Sequence, residues 1–257
     1  MIHDVRLILK MSLEDYMRQF RGALLGASWG FVQPIVLTLI WCIVFGYGLK
    51  AAPVNKYPFA LWLVCGIIPY FYISEVLSRG ANCFLEYSYL VKKIVFPIHL
   101  IPLFKLVSSV FPHVFFITIS GFLLLGFGYE VSTSVFGLVY YFVCLLALST
   151  PVLFVISVLN VFLRDISHVT SVVLQILVWV TPVFWSESMI PEGAKWLLFL
   201  NPLSYIVSGY RDCLLGGFSP ELILSQDTLV FFSMCGFLNL FAYLVFSRLK
   251  YELADFL

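Results

Sequence analysis

Charged side chains are scarce in this sequence. Asp, Glu, Lys and Arg make up 11% of the 257 residues, against about 25% in an ordinary soluble domain. Hydrophobic residues make up 61%, which is more apolar surface than the core of a water-soluble monomer could bury. The composition therefore excludes a water-soluble monomer and indicates a protein that faces lipid. The formal net charge of +1 also gives no sign of a nucleic-acid partner.

Motifs for metal binding, nucleotide binding and covalent catalysis are missing as well. The six cysteines form no CxxC pair and the four histidines show no ligand spacing, so we predict buried apolar cysteines and no metal. No Gly-Lys dipeptide occurs, which excludes a P-loop that could hold nucleotide phosphates. If ATP drives transport here, a separate subunit must hydrolyse it.

Six stretches without Asp, Glu, Lys or Arg are each long enough for a membrane helix, which needs about 20 apolar residues. They predict an all-α protein in a single transmembrane domain, 1–257, with spans at 28–49, 57–80, 99–127, 134–160, 166–186 and 227–247. Their uncharged interiors argue against a proton- or ion-coupled transporter. Glu75 and Arg79, near the end of span two, are interpreted as a local surface pair.

The distribution of basic residues orients the chain, because Lys and Arg accumulate in short cytoplasmic loops. Ten of the fifteen lie before span one, after span six, or in the loops after spans two and four. Four lie in the other loops, and Lys105 stands at the start of a helix. Both termini are therefore predicted to be cytoplasmic.

The segment before span one, 1–27, has the pattern of an amphipathic helix. Apolar residues recur at spacings of three or four, at Ile2, Val5, Leu9, Leu13, Tyr16 and Phe20. Such a helix would lie along the cytoplasmic membrane surface. A simple topology anchor is the alternative.

The loop between spans two and three carries a short apolar stripe within 83–96, formed by Phe84, Tyr87, Val91 and Ile94. A short amphipathic helix of this kind could rest on lipid or dock into a groove of a soluble partner. The pattern leaves both interpretations open.

The segment 187–217, between spans five and six, is apolar in its centre and is broken by Pro191 and by Asn201-Pro202. We predict two short helices that dip into the membrane from the outer side. They could line a gate or serve only as packing.

Aromatic residues make up 18% of the chain, and most are expected to be lipid-facing filler or interfacial belts. Trp41, Phe45, Trp179 and Trp185 lie along spans one and five. Because aromatic faces also stack on the apolar faces of sugar rings, these four are candidates for the wall of a polysaccharide path.

Four sequence fragments carry a family resemblance. They are LGASWGFVQP at 25–34, LNVFLRDI at 159–166, TPVFW at 181–185 and NPLSYIV at 201–207. In this order, on six spans, they make the chain resemble the permease subunit of ABC transporters that export polysaccharides such as O-antigen, capsule or teichoic acid.

The resemblance implies roles for the segments above. Two permease copies would form one channel, and two nucleotide-binding subunits would hydrolyse ATP with Mg, so this chain would hold no cofactor itself. The helix at 83–96 would be the coupling helix, 187–217 the gate helices, and 1–27 the interfacial helix near which the lipid-linked substrate enters.

Individual residues follow by the same resemblance. The candidates for coupling to the ATPase are Phe84, Glu86, Tyr87, Val91, Lys92, Lys93, Arg164 and Asp165. The candidates for the channel wall are Trp41, Phe45, Trp179 and Trp185, and those for the gate are Trp196, Asn201, Pro202, Tyr205 and Tyr210.

The sequence thus predicts a homodimeric permease that moves undecaprenyl-linked O-antigen across the bacterial inner membrane. Export of capsular polysaccharide or teichoic acid is the alternative within the class. A membrane-embedded lipid-modifying enzyme is the alternative from another class, although such an enzyme needs clustered acids, His or Arg, and here these are scattered.

Overall fold

The computed structural model describes residues 2–54, 56–92, 96–129, 135–194 and 196–257, without the side chains of 2–4 and 135. Throughout these ranges the regular structure is helical, and the one β-bridge, between Val54 and Tyr57, is isolated. The all-α prediction is confirmed. The α-helices in chain order are α1 Ile2–Gln19, α2 Trp29–Ile43, α3 Phe59–Gly80, α4 Cys83–Glu86, α5 Ser88–Val91, α6 Leu100–Ser108, α7 Val110–Gly126, α8 Val135–Phe162, α9 Ile166–Val180, α10 Trp196–Leu200, α11 Pro202–Leu215, α12 Gln226–Leu249 and α13 Leu253–Phe256.

Five helical segments of the described chain are long and apolar enough to cross a membrane. They are Gly26–Gly48, Phe59–Gly80, Leu100–Gly126, Phe136–Phe162 and Gln226–Leu249. The first joins a 3₁₀ turn, α2 and a π-helical turn at Val44–Gly48, and the third joins α6 and α7. These segments correspond to five of the six predicted spans.

The remaining predicted span, span five at 166–186, is shorter than expected. Helix α9 has 15 residues, or about 22 Å at 1.5 Å per residue, against a hydrocarbon core of about 30 Å. It ends because Thr181 precedes Pro182 and adopts an extended conformation, with φ −81° and ψ 142°, as expected before proline. The crossing of the bilayer by α9 therefore stays a prediction.

Helix α3 lies at the centre of the bundle, where it packs against α7, α8, α9 and α11. Fifteen of its 22 residues are buried. Helix α2, in contrast, has no buried residue and packs with one side on α3 and α7. Five of the six cysteines are buried, Cys42 is half-buried and all six are free, which agrees with the prediction of apolar, unpaired cysteines.

Helix α1 packs on α6 through one face and is exposed on another. Ser12, Asp15 and Tyr16 are buried, whereas the apolar row Val5, Leu9, Leu13 and Met17 is more than half exposed. The helix is shorter than the predicted segment 1–27, because turns and a 3₁₀ helix at Gly26–Ser28 follow Gln19. Gly22 and Gly26 take positive φ values of 84° and 53° in these turns, a conformation that glycine adopts without strain.

Candidate functional site

The 83–96 loop forms two short helices, α4 and α5, instead of one continuous amphipathic helix. They are separated at Tyr87, whose φ of −111° and ψ of 28° are not helical. Phe84, Tyr87 and Val91 are buried against Phe104 and Leu253 of the chain itself. Among the described residues of the loop, Glu86, Tyr89 and Lys92 are exposed. Lys93 and Ile94 lie outside the described residues.

Beneath this loop lies a network of charged and polar groups, all buried or partly buried except Glu86, that we call the Asp15 clasp. It consists of Asp15, Glu75, Arg79, Glu86, Tyr87, Lys105 and Ser108. The Lys105 ammonium lies 2.7 Å from Asp15 Oδ1 and 2.6 Å from Glu86 Oε2. Arg79 lies 2.9 Å from Asp15 Oδ2 and 2.8 Å from Glu75 Oε1. The clasp thus joins α1, α3, α4 and α6.

Asp15 is the centre of the clasp. Besides its two cationic partners, it accepts hydrogen bonds from Tyr87 Oη at 2.8 Å and Ser108 Oγ at 3.0 Å. Burial by itself raises the pKa of Asp15, but the charges of Lys105 and Arg79 and the hydrogen bonds outweigh that effect, so that the pKa is lowered from its ordinary value of 3.8. Asp15 is therefore ionised at neutral pH.

The clasp corrects one interpretation of the sequence. Glu75 and Arg79 do form the predicted local pair, but their side chains are only 23% and 16% exposed, and Arg79 also binds Asp15. The pair is therefore part of a buried network and not a surface feature. No local pattern could have revealed Asp15 and Lys105 as partners, because they lie far apart in the chain.

Arg164 and Asp165 lie on the exposed turn between α8 and α9. Buried Asn160 fixes this turn: its Oδ1 accepts the N–H of Ser167 at 2.9 Å, and its Nδ2 donates to Asn82 Oδ1 at 2.9 Å. Asn82 directly precedes α4, so the Asn160–Asn82 hydrogen bond connects the α8–α9 turn to the start of the 83–96 loop. Sequence analysis missed Asn160, although it lies within the LNVFLRDI fragment.

At the opposite end of the bundle, three of the four predicted wall aromatics gather around one phenylalanine. The ring centroid of Phe184 lies 4.9 Å from Trp41, 5.5 Å from Phe45 and 4.9 Å from Trp179. Trp185, the fourth, donates its Nε1–H to the carbonyl of Trp179 at 2.8 Å. Sequence analysis missed Phe184, and its place in the TPVFW fragment was the available signal.

The 187–217 segment begins with 3₁₀ turns at Glu187–Met189 and Glu192–Ala194 and continues as α10 and α11. Asn201 separates the two helices: its Oδ1 accepts the N–H of Leu203 at 3.1 Å as the N-cap of α11, and its Nδ2 donates to Thr181 Oγ1 at 2.9 Å. Pro202 occupies the first helical position, where its missing N–H costs nothing. Two helices, α10 and α11, therefore occupy this segment, and their entry into the membrane stays a prediction.

The predicted gate residues lie at different depths. Trp196 is 57% exposed, whereas Tyr210 is fully buried and its hydroxyl lies 2.9 Å from His113 Nε2. Tyr205 is half-buried, with its hydroxyl 2.9 Å from that of Tyr140 and 2.8 Å from Thr228 Oγ1. Tyr210 thus belongs to the core beneath the segment.

Arg211, which sequence analysis did not single out, fastens α11 to the bundle. Its guanidinium is buried, lies 3.5 Å from the Trp62 ring centroid and donates to the carbonyls of Trp62, Pro182 and Val183. Burial lowers the pKa of Arg211 to about 9, so it stays charged at neutral pH. Three backbone carbonyls and the Trp62 ring thus stabilise the buried positive charge of Arg211.

A profile of the ABC-2 type transporter family matches residues 7–215, and the chain therefore belongs to that family. It is a multi-pass membrane subunit of an ABC transporter and not an enzyme. The family implies a separate nucleotide-binding partner.

Several curated proteins resemble the chain over most of its length. It is 23% identical to an O-antigen export system permease protein RfbA of Klebsiella pneumoniae, over 98% of this chain and 95% of the relative. It is 24% identical to a protein of the same name from Myxococcus xanthus, over 80% and 78% of the two chains. It is 26% identical to the inner membrane transport permease YadH of Escherichia coli K12, over 80% and 84%.

Proposed function

We propose that this chain is the permease of an ATP-driven exporter that moves an undecaprenyl-linked O-antigen polysaccharide across a bacterial inner membrane. The observation that carries the proposal is the likeness to an O-antigen export permease over 98% of the chain. This likeness extends past residue 215, where the family profile ends, and so includes α12.

A second copy of the chain completes the path in this proposal. Helix α2 has no buried residue, and the outer face of α9 exposes Val172, Ile176 and Trp179 by more than half. A helix that is apolar all round faces lipid or another helix. Two copies that meet near α2 and α9 would place Trp41, Phe45, Trp179 and the other aromatics around Phe184 beside a shared path.

Aromatic walls suit a long glycan. Ring faces offer a sugar apolar contact without strong binding at any one point, so a chain of many sugars can slide along them. Trp179 is 58% exposed, which leaves its ring available for such contact.

The α1 end of the bundle is the proposed docking face for two ATPase subunits and lies in the cytoplasm together with both termini. The ATPase would contact exposed Glu86, Tyr89 and Lys92 on the 83–96 loop and exposed Arg164 and Asp165 on the adjoining turn. Buried Phe84, Tyr87 and Val91 would transmit a displacement of the loop by the ATPase into the bundle. The Asp15 clasp would transmit this displacement to α1, α3 and α6.

The proposal is tested by gentle solubilisation of the chain from its native membrane. We expect a P-loop subunit to co-purify in equal stoichiometry and to hydrolyse ATP in the presence of Mg. Depletion of the chain should then leave an undecaprenyl-linked glycan on the cytoplasmic side, whose sugars identify the polysaccharide class. A purified chain without an ATPase, or depletion without accumulated glycan, would contradict the proposal.

A further inference from the structure

A cleft of about 360 Å³ opens beside the 187–217 segment, between α11, the Glu187–Met189 turn and the start of α12. Its volume is at the lower end of the range of about 300–1,000 Å³ that is typical of small-molecule sites. We call it the Ser204 cleft, after a residue in its wall.

Ser204 is the first sign that the cleft binds something. The residue is 3% exposed and lines the cleft, yet its hydroxyl has no hydrogen-bond partner among the described residues. Most buried polar groups are hydrogen-bonded, because an unpaired one costs about 1–3 kcal/mol. A ligand hydroxyl in the cleft would supply the missing partner.

Carboxylates give the cleft a negative charge. Glu187, Asp212 and Asp227 line it, and the described lining residues include no Lys, Arg or His. The neighbouring Arg211 is turned away toward Trp62. An anionic ligand would therefore be repelled, whereas hydroxyl groups, which donate hydrogen bonds to carboxylates, would be attracted.

A metal ion fits the cleft poorly. Ca²⁺ needs six to eight oxygen ligands that converge on one point, and within the described part of the chain no three acidic, His or Cys side chains are grouped closely enough to hold an ion. The carboxylates are instead spread around the wall, as suits a ligand with several separate hydroxyl groups.

The remaining lining residues suit a sugar ring. The ring of Phe199 is 49% exposed and that of Tyr205 is half-buried, so both offer apolar surface to the C–H faces of a sugar. Phe231 is buried and stacks behind Tyr205. Ser208 lies at the wall too, where its hydroxyl donates to Glu187 and its lone pairs can accept a further hydrogen bond.

We propose that the Ser204 cleft is a saccharide subsite that binds uncharged sugar units of the exported glycan and discriminates against uronate or phosphate-bearing units. This inference rests on the proposed function, which supplies the glycan. It extends that function by assigning a site away from the aromatic wall and a charge preference for the substrate.

The test is saturation-transfer NMR without ATP on the chain in lipid nanodiscs, together with any ATPase subunit that co-purifies. The probes are mannobiose, N,N′-diacetylchitobiose and digalacturonate, titrated separately, with Ca²⁺ as a further probe. We expect at least one of the two neutral disaccharides to bind, and digalacturonate to bind at least about tenfold more weakly.

Variants place the binding in the cleft. Ser204→Ala should weaken binding of the neutral sugar about fivefold, the loss expected for one hydrogen bond. It should not lower the thermal unfolding midpoint, since the hydroxyl has no partner to lose. Asp212→Asn should weaken binding about tenfold and reduce the discrimination against digalacturonate. Ser233→Ala is the control, because Ser233 Oγ donates only to the carbonyl of Val230 on an exposed face.

Three results would overturn the subsite: binding of neither neutral sugar, equal binding of digalacturonate, or binding that Ser204→Ala leaves unchanged. Binding of Ca²⁺ without sugar would identify a cation site instead. Loss of the subsite while ATP-driven export persists would leave the proposed function standing. Sugar binding through Ser204 in a chain that lacks an ATPase would contradict the proposed function alone.

Discussion

At the scale of single residues, the buried Lys105–Asp15 pair is expected to contribute strongly to stability. Both side chains are at most 4% exposed, and their charged atoms are 2.7 Å apart. Lys105→Met should destabilise the chain by about 3–5 kcal/mol, because it removes a positive charge that compensates the buried Asp15 carboxylate. The double variant Asp15→Asn with Lys105→Met should lose less than the single one. Unfolding in mixed-detergent titrations measures both, and equal losses would contradict the argument.

The lowered pKa of Asp15 also predicts how stability depends on pH. A carboxylate whose pKa is lowered by folding contributes stability that is present above its unfolded value of 3.8 and is lost as the pH falls toward the folded value. The contribution of Asp15 to the thermal unfolding midpoint should therefore stay constant from pH 7 to about pH 5. Below about pH 4 this contribution should decrease. Asp15→Asn should show a shallower fall, and identical pH profiles for the two proteins would refute this role.

Gly66 faces the Arg211 guanidinium without room for a Cβ atom. Gly66→Ala should therefore displace the guanidinium from Trp62 and destabilise the chain by about 1–3 kcal/mol. A drop in the thermal midpoint, with a change in tryptophan fluorescence, would report it. Gly236→Ala on α12 is the matched control, because a Cβ there meets nothing within 4 Å, and it should be neutral or slightly stabilising.

At the scale of elements, buried and exposed residues of the 83–96 loop should differ in their effects on folding and on ATPase association. Phe84 and Tyr87 are buried, so Phe84→Asp with Tyr87→Asp should impair folding before it impairs coupling. Tyr89→Asp with Lys92→Glu changes only exposed residues. It should leave the thermal midpoint unchanged and weaken ATPase association about tenfold or more.

Co-purification with the ATPase subunit measures that effect. Tyr47→Asp with Lys50→Glu is the matched control, because it changes the same two residue types at exposed positions near Phe45, at the opposite end of the bundle. Full association of the Tyr89/Lys92 variant would remove the exposed face of the loop from the docking surface.

The same loop shows where sequence reasoning stops. Apolar residues at helical spacing predicted a helix that rests on lipid or docks into a partner's groove, whereas Phe84, Tyr87 and Val91 are buried in the chain's own core. The pattern could not show what covers these residues, because a partner's groove and the chain's own core require the same side chains. Membrane helices were predictable because lipid demands long uncharged runs. Charged contacts between distant segments, such as Asp15 with Lys105 or Arg211 with Pro182, leave no periodic pattern.

At the scale of the whole molecule, the exposed side of α2 is the interface expected for the proposed dimer. Ile40→Cys or Ile43→Cys, each on an exposed residue of α2 and in a Cys42→Ala background, should cross-link to a dimer in native membranes under mild oxidation. Phe237→Cys on α12, which is 71% exposed, is the control and should stay monomeric. Cross-linking of Phe237→Cys alone would move the interface to α12.

The Asp15 clasp also has a consequence for the synthesis and membrane insertion of the protein. Helix α1 leaves the ribosome before Arg79 and Lys105, the partners that neutralise its carboxylate, have been synthesised. Until then, α1 can bind the bilayer surface through its exposed apolar row, Val5, Leu9, Leu13 and Met17. Closure of the clasp therefore comes late in biogenesis, after the third span is inserted, and ties α1 to a helix that is synthesised much later.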